Sequence, residues 1–371
     1  MRLATYNVEN MFERARAMNF ATWSEGRPIL EDFAKLNDLI QSEIYTESIK
    51  ARLIEIMKRH KGLLTTGESK YIILREIRGE FIRRSKNKPA EVAAGGSGEW
   101  IGWFDLAREP VTEAASQNIG RVIDLLDADV LSVVEAENRI LLKDFNEAVL
   151  PKVSPKVYEH VMLIDGNDKR GIDVGILTRP GFTIQRLLSH VDDVDGKGVI
   201  FSRDCAEYEI RTSMGNTLLL LVNHFKSKGY GNAKAAAEKR LRQARRVREI
   251  YDRSIGAGYE YIAVLGDLNE TPDQPALDPL IREGSSLIDI MVHPKFIGDG
   301  RPGTHANGIK SAKLDYILMS PKLSEKVVKG GIERRGVWGG TKGDLFPHLE
   351  TITRAEDSAS DHAALWVEVD L

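Results

Sequence analysis

Only one of the 371 residues is cysteine, Cys205. That excludes an intramolecular disulfide and a cysteine-rich zinc site, and it is what a reducing compartment permits. No apolar run approaches the roughly 18 residues of a membrane span. The opening MRLATYNVEN has no basic stretch leading into a long apolar one. A soluble, cytoplasmic protein is expected. An excess of one charge is also missing: the net charge is −3, so no global field advertises a polyanionic partner. No repeats are found, and the Gly-rich AAGGSGEW (Ala93 to Trp100) is the one stretch of flexible composition.

What is present can fold. With 42% hydrophobic and 29% charged residues, the chain can bury a large core, and its length alone suggests about two domains. Charge is segregated locally. Between Lys50 and Lys88 stand 12 Lys/Arg against 4 Asp/Glu, and between Lys226 and Arg253 stand 10 against 3. Two such runs on an acidic remainder suggest surfaces for a phosphate backbone, although either run alone reads equally well as a solvated helix face.

Six polar motifs each follow or begin an apolar, strand-like run: YNVEN from Tyr6, VVEAEN from Val133, NHFKSKG from Asn223, GDLNET from Gly266, LDYIL from Leu314 and SDHAAL from Ser360. Elements near both termini thus share one kind of tip. This favours a single catalytic domain over residues 1–371 with an insertion at about 13–99. Within the insertion, helical periodicity covers Leu30 to Ile40 and Ile49 to Met57, and Tyr71 to Arg84 suggests a hairpin. AAGGSGEW would mark its far boundary, with Trp100 to Leu106 returning to the core. Thr112 to Leu126 and the basic Lys234 to Arg253 read as helices. Many strands with few helices between them imply a layered α/β or α+β sandwich.

Hydrolysing a phosphodiester requires neutralising an anion, making a nucleophile from water and holding attack in line. Hard oxygen ligands suited to Mg²⁺ or Mn²⁺ are on offer. Glu135, at a strand end, is the natural metal ligand. Asp267 and Asn269, two apart after YIAVL, would share a face of an extended segment, one to orient water and one to grip phosphate. His362 begins a strand and can face a phosphate while Asp315 fixes its tautomer. His224 and Asn223 offer a further imidazole and amide for phosphate oxygens. Taken singly, each of these residues reads no better as functional than as structural.

As an ordered set, YNVEN, DADVLSVVEAEN, GIDVGIL, VNHFKSKG, VLGDLNETPD, LDYILMS and SDHAAL resemble the endonuclease/exonuclease/phosphatase superfamily, which includes deoxyribonuclease I. The likeness covers residues 1–12 and about 100–371. It implies a four-layer α/β/β/α sandwich and a divalent-metal-dependent phosphoesterase. Carried over by position, Glu135 would be the principal metal ligand, helped by Asn7 and Asp361. Asp267 would activate water, Asn269 would stabilise phosphoryl oxygens, and His362 with Asp315 and His224 would face the scissile phosphate.

NHFKSKG is similar to a motif of bacterial nuclease-like members and differs from abasic-site endonucleases, which place a tyrosine-containing motif there. Val134 stands where the family commonly has Gln. Lys226 and Lys228 would then lie beside the site, and Arg170 in KRGIDVGIL would clamp phosphate or form a structural ion pair. The basic runs favour nucleic acid as the partner, DNA ahead of RNA, with no membrane partner. A lipid or inositol phosphoesterase, which exposed aromatic or apolar loops near the site, as around Trp338, would support, is the alternative enzyme. A non-catalytic nucleic-acid-binding scaffold is the alternative of another class.

Overall fold

Five consecutive apolar residues, Leu218 to Val222, cannot bury themselves on one face of a sheet alone, because side chains alternate. In the computed structural model, which describes residues 1–9, 16–18, 23–85, 89–107, 113–168, 172–228, 232–282 and 284–371, both faces of this strand are covered. Leu218, Leu220 and Val222 join a core shared with Leu3, Val130, Val174 and Leu365. Leu219 and Leu221 pack with Ala244, Val247 and Ile250 of a helix. On the far side, Leu131, Val133 and Ala4 meet Ile119, Val122 and Ile123. The layers are therefore helix, sheet, sheet, helix, the α/β/β/α sandwich expected.

The chain forms two compact units, one of Met1–Phe12 with Val111–Leu371 and one of Glu13–Pro110. In the first, a seven-stranded sheet runs in the order Phe296–Ile297, Val327–Glu333, Ala364–Val369, Arg2–Asn7, Val130–Ala136, Asp173–Thr178 and His160–Ile164. A six-stranded sheet runs Ile288–Asp289, Asp315–Met319, Tyr261–Asp267, Thr217–His224, Cys205–Arg211 and Thr183–Leu188. The strand at the N-terminus lies at the middle of its sheet, parallel to Val130–Ala136 and antiparallel to Ala364–Val369. Long-range pairing is what gathers motifs from both ends of the sequence.

The two sequence-read helices appear as Glu113–Leu126 and Ala233–Gly256. Asn232 caps the second by accepting from the Ala235 N–H, and its buried positions Ala236, Arg240, Gln243, Ala244, Val247, Ile250, Tyr251 and Ser254 trace one helical face. This helix does not present a free basic stripe. Arg242 pairs with Asp195, Arg246 with Asp193, Arg248 with Asp252, Arg253 with Glu207 and Arg240 with Glu270. The charge run that suggested backbone contacts is largely spent on carboxylates, all but Asp252 of those named coming from other parts of the fold.

The Glu13–Pro110 unit has its own core. Phe81 stacks on Trp100 at 4.1 Å, and the Trp100 indole N–H donates to the Tyr45 hydroxyl at 2.9 Å. Helices Trp23–Leu39 and Glu47–Arg59 agree with the periodicity. Two expectations do not hold. The segment from Tyr71 is no hairpin, because Ile72–Arg78 pairs with Ile101–Leu106 and Ile82–Arg83 pairs with Glu91–Val92. Trp100 to Leu106 accordingly stays within this unit. The Gly-rich patch is packed rather than slack: a Cβ at Gly96 would lie 1.9 Å from the Glu43 carbonyl oxygen.

Candidate active site

Register brings the chemistry together. In the six-stranded sheet His224 pairs across from Asp267, and Asp267 pairs across from Asp315. Three polar tips thus stand side by side at one end of adjacent strands. In the other sheet Asn7 pairs across from Val134, immediately before Glu135. The Asn7 Nδ2 group spans the sheets, donating to Asp267 Oδ2 at 3.2 Å and to Glu135 Oε1 at 3.3 Å.

Local backbone geometry aims these groups. Between Val134 and Ala136 the pairing with Asp173–Thr178 shifts by a residue, and Glu135 has φ 68°. A bulge of this kind redirects one side chain out of the alternating pattern, here toward His224, whose Nε2 is 3.6 Å from Glu135 Oε1. Asn269 also has a left-handed backbone, φ 51°. Asp267 and Asn269 therefore do not share a face of an extended strand. The chain turns, so that the Asn269 N–H donates to Asp267 Oδ1 at 2.7 Å and Nδ2 to Oδ2 at 3.2 Å. Such strain in non-glycine residues costs about 1 kcal/mol or more each and persists where surroundings enforce it. Gly266, before Asp267, is the converse case: at φ 119° a Cβ would lie 2.0 Å from the Asn223 carbonyl oxygen.

The most completely bonded pair is His362 with Asp315. Nδ1 lies 2.8 Å from Asp315 Oδ2, and the Thr304 hydroxyl donates to the same oxygen at 2.6 Å. Thr304 Oγ1 accepts from the Leu314 and Asp315 N–H groups, so its own proton has only the carboxylate to go to. With Nδ1 protonated toward Asp315, Nε2 faces Asp361 Oδ1 at 3.7 Å and Asp267 Oδ2 at 4.0 Å. Burial works against charge on this ring, but Asp315, Asp361 and Asp267 outweigh it and hold His362 well above the ordinary imidazole range. Burial, reinforced by Asp315, pushes the Asp267 carboxyl up to about 7. For Asp361 enclosure acts the same way, yet His362 and His305 hold it well below the usual carboxylate range.

These carboxylates fit a hard divalent cation. Glu135 and Asp267 converge on one amide and one imidazole, and among the described residues no lysine or arginine pairs with either; Asp361 Oδ1 is shielded yet accepts no hydrogen bond. Glu135 with Asp267 would hold the ion. Asn7 turns its NH₂ toward them, while its oxygen accepts the Glu9 N–H at 3.1 Å, so as a direct ligand it would have to rotate its amide.

Other expected residues fall differently. Asn223 is fully buried, donates to the Leu221 carbonyl and pairs with Cys205 on the helix-covered side of the sheet. Alternation places it opposite His224, away from the cluster. Lys228 pairs with Glu270 at 2.5 Å. Lys226 is half-buried, its N–H donating to Gln243 and its carbonyl accepting from Arg240. Asn269 spends its amide protons on Asp267 and the Phe225 carbonyl. Arg170 lies outside the described residues. Asp173 of the same motif pairs across from Ala136, beside the bulge, and burial pushes its carboxyl up to about 7.

Three participants had no motif to announce them. Arg203, one of the largest fully buried side chains, donates to the Phe225 carbonyl at 2.9 Å, the oxygen that Asn269 also binds. Thr304 supports Asp315. His305 lies against His362, with ring centroids 4.7 Å apart, and its Nε2 is 3.1 Å from Asp361 Oδ2. THANG, which carries His305, follows no apolar run, so strand-end logic passes over it.

Comparison with known proteins agrees with this architecture. A family model described as Endonuclease/Exonuclease/phosphatase family matches residues 112–289. No curated protein matches the chain. Among solved structures, the endonuclease/exonuclease/phosphatase from Bacteroides vulgatus is 15% identical with a TM-score of 0.50, covering 70% of this chain and 91% of that one. A mannosyl-6-phosphatase from Bacteroides thetaiotaomicron is 20% identical with a TM-score of 0.49, covering 69% and 91%. The human Nocturnin catalytic domain is 15% identical with a TM-score of 0.49, covering 69% and 86%. At 15% identity and a TM-score of 0.50, the Bacteroides vulgatus structure shows a likeness of fold alone. Among the described residues, no helix is long and apolar enough to cross a membrane.

Proposed function

We propose that the chain, whose residues 112–289 match a model of the endonuclease/exonuclease/phosphatase family, a family of metal-dependent phosphoesterases, hydrolyses phosphodiester bonds with Mg²⁺ or Mn²⁺ and that its substrate is nucleic acid, DNA ahead of RNA. The observation that carries the hydrolytic reading is the His362–Asp315 pair at 2.8 Å, with Nε2 turned to the face shared by Asp267 and Asp361.

The cation, held by Glu135 and Asp267, would neutralise phosphoryl charge and lower the pKa of water. The remaining work falls to the chain. Asp267, beside Glu135 and facing His362 Nε2, suits orienting the attacking water. His362 donates from Nε2 to a phosphoryl oxygen, and Asp315 keeps the Nδ1 proton in place. His224, from the adjacent strand, offers a second imidazole at 3.8 Å from Asp267. Arg203 and Asn269 hold the Phe225 carbonyl and so fix the turn that presents His224.

A polymeric anionic substrate is favoured by the surface beside these residues. The loops next to His224, Asn269 and Asp315 line an open cleft of about 490 Å³ with two lysines, Lys228 and Lys310, together with Thr271, Asp273, Gln274, Ile309 and Ser311. Trp338 is no exposed apolar tip, since it stacks on His348 at 5.4 Å. The test is incubation of purified protein with Mg²⁺, Mn²⁺ or EDTA on plasmid, linear and single-stranded DNA, RNA, and bis(p-nitrophenyl) phosphate. Metal-dependent cleavage of nucleic acid supports the proposal. Intact nucleic acid with hydrolysis of the small ester removes the nuclease reading, and no hydrolysis of any substrate removes the enzymatic one.

A further inference from the structure

We propose that His305, Asp361 and His362 form a second cation site, selective for imidazole-preferring transition ions such as Zn²⁺ or Co²⁺ over Mg²⁺. The three side chains offer ligand atoms that all lie within 4.8 Å of one another. His305 Nε2 is 3.1 Å from Asp361 Oδ2, and His362 Nε2 is 3.7 Å from Asp361 Oδ1. Around a tetrahedral zinc with bonds of about 2.0 Å, ligand atoms are about 3.3 Å apart. The two separations, each to a different oxygen of Asp361, lie on either side of that spacing.

Three further features point the same way. His362 Nδ1 is bound to Asp315, leaving Nε2 as the outward nitrogen, and a carboxylate behind a histidine is the usual arrangement of a metal-binding imidazole. Asp361 Oδ1 accepts no hydrogen bond, leaving lone pairs for an ion. The backbone holds the loop firmly: the Ala306 N–H donates to the Asp361 carbonyl and the Ala363 N–H to the Thr304 carbonyl, both at 2.7 Å. His305 and Asp361 side chains remain 33% and 40% exposed although Asp361 Oδ1 itself is buried, so an ion would enter past their exposed atoms and water could complete its shell. Two imidazoles and one carboxylate suit zinc or cobalt, whereas magnesium takes oxygen ligands.

The site overlaps the face from which His362 is proposed to meet phosphate. An ion there takes the Nε2 lone pair and would oppose hydrolysis; this consequence rests on the function proposed above, whereas binding does not. The test is equilibrium binding of Zn²⁺ to the intact metal-free protein, with visible absorption of Co²⁺ as the second readout. Wild type is expected to bind two ions and to show the intense bands of four-coordinate Co²⁺ with nitrogen ligands.

His305→Ala is expected to lose one binding event, weakened at least tenfold, together with those bands, and Glu135→Gln to keep both of these while weakening the other event. His305→Gln serves as the second variant if the alanine form does not fold by circular dichroism. Unchanged binding and spectra in a folded His305 variant, or a single binding event in wild type, overturns the inference even if the protein is an active nuclease. Two-site binding in a protein that hydrolyses nothing would instead retain this site and remove the proposed function.

Discussion

Asp315→Asn separates charge from geometry in the pair with His362. Asp315 Oδ2 is the target of two donors, the Thr304 hydroxyl at 2.6 Å and the His362 ring at 2.8 Å. The hydroxyl cannot turn away, because Thr304 Oγ1 already accepts two backbone N–H groups. An asparagine there must place its oxygen at the shared position, since its NH₂ would face two donors. The tautomer of His362 is thereby kept and only the charge is lost.

A charge-assisted hydrogen bond contributes about 1.5–3 kcal/mol against about 1 for a neutral one. The difference of roughly 0.5–2 kcal/mol corresponds to about a 2- to 30-fold loss in kcat. Asp315→Ala is different. It strands both donors and frees the ring to change tautomer, for which a loss of about 10³-fold or more is expected. The variants are compared on bis(p-nitrophenyl) phosphate with Mn²⁺ as a function of pH. Asp315 is the leading carboxylate holding His362 in its charged form, so activity that needs the imidazolium, lost as pH rises through its pKa, should be lost at lower pH in the asparagine variant. Proton NMR of the His362 ring in metal-free protein gives the same shift without turnover. Equal damage from Asn and Ala, or an unmoved alkaline limb, refutes the reasoning.

Three further outcomes are expected. Gly266→Ala should cost about 3 kcal/mol or more, or prevent soluble expression, because the new Cβ meets a backbone oxygen at a positive φ; urea denaturation or a solubility assay measures it. Arg240→Ala should cost about 3–5 kcal/mol in the same urea assay, since Arg240 and Glu270 are both buried with contacts of 2.9 and 3.0 Å, and deletion leaves a buried carboxylate with Lys228 as its cation and the Thr271 N–H as a further donor. In EDTA, Tm should fall as pH rises through about 7, because Asp267 and Asp173 have folded pKa values raised to about 7 and the stability due to their bound protons is complete only below their unfolded values near 4. Asp267→Asn should remove part of that fall, and Mg²⁺ should offset it in wild type; a Tm in EDTA that is flat or rises across neutrality contradicts the assignment.

The strand ends were legible in the sequence because a strand buried on both faces must be apolar throughout and can become polar only where it leaves the core. Leu218 to His224 and Tyr261 to Asp267 show this. The partners of those ends were less legible. Asn223 was grouped with His224 because they are adjacent, yet adjacency in a strand means opposite faces, and the amide lies on the helix side. The basic run of Lys226 to Arg253 looked available because its acidic partners, Asp193, Asp195, Glu207 and Glu270, lie elsewhere in the chain.

By itself the sequence determined which side chains could do the chemistry and that they stand at strand ends, since composition and periodicity are local properties. Tertiary structure alone decided how they meet. Asn7 reaches Asp267 across 260 residues, Glu135 is aimed by a bulge that depends on the register with its neighbouring strand, and His305 comes to His362 through a bridge between two loops. Register and bulges are set by long-range pairing, and no local pattern of residues encodes them.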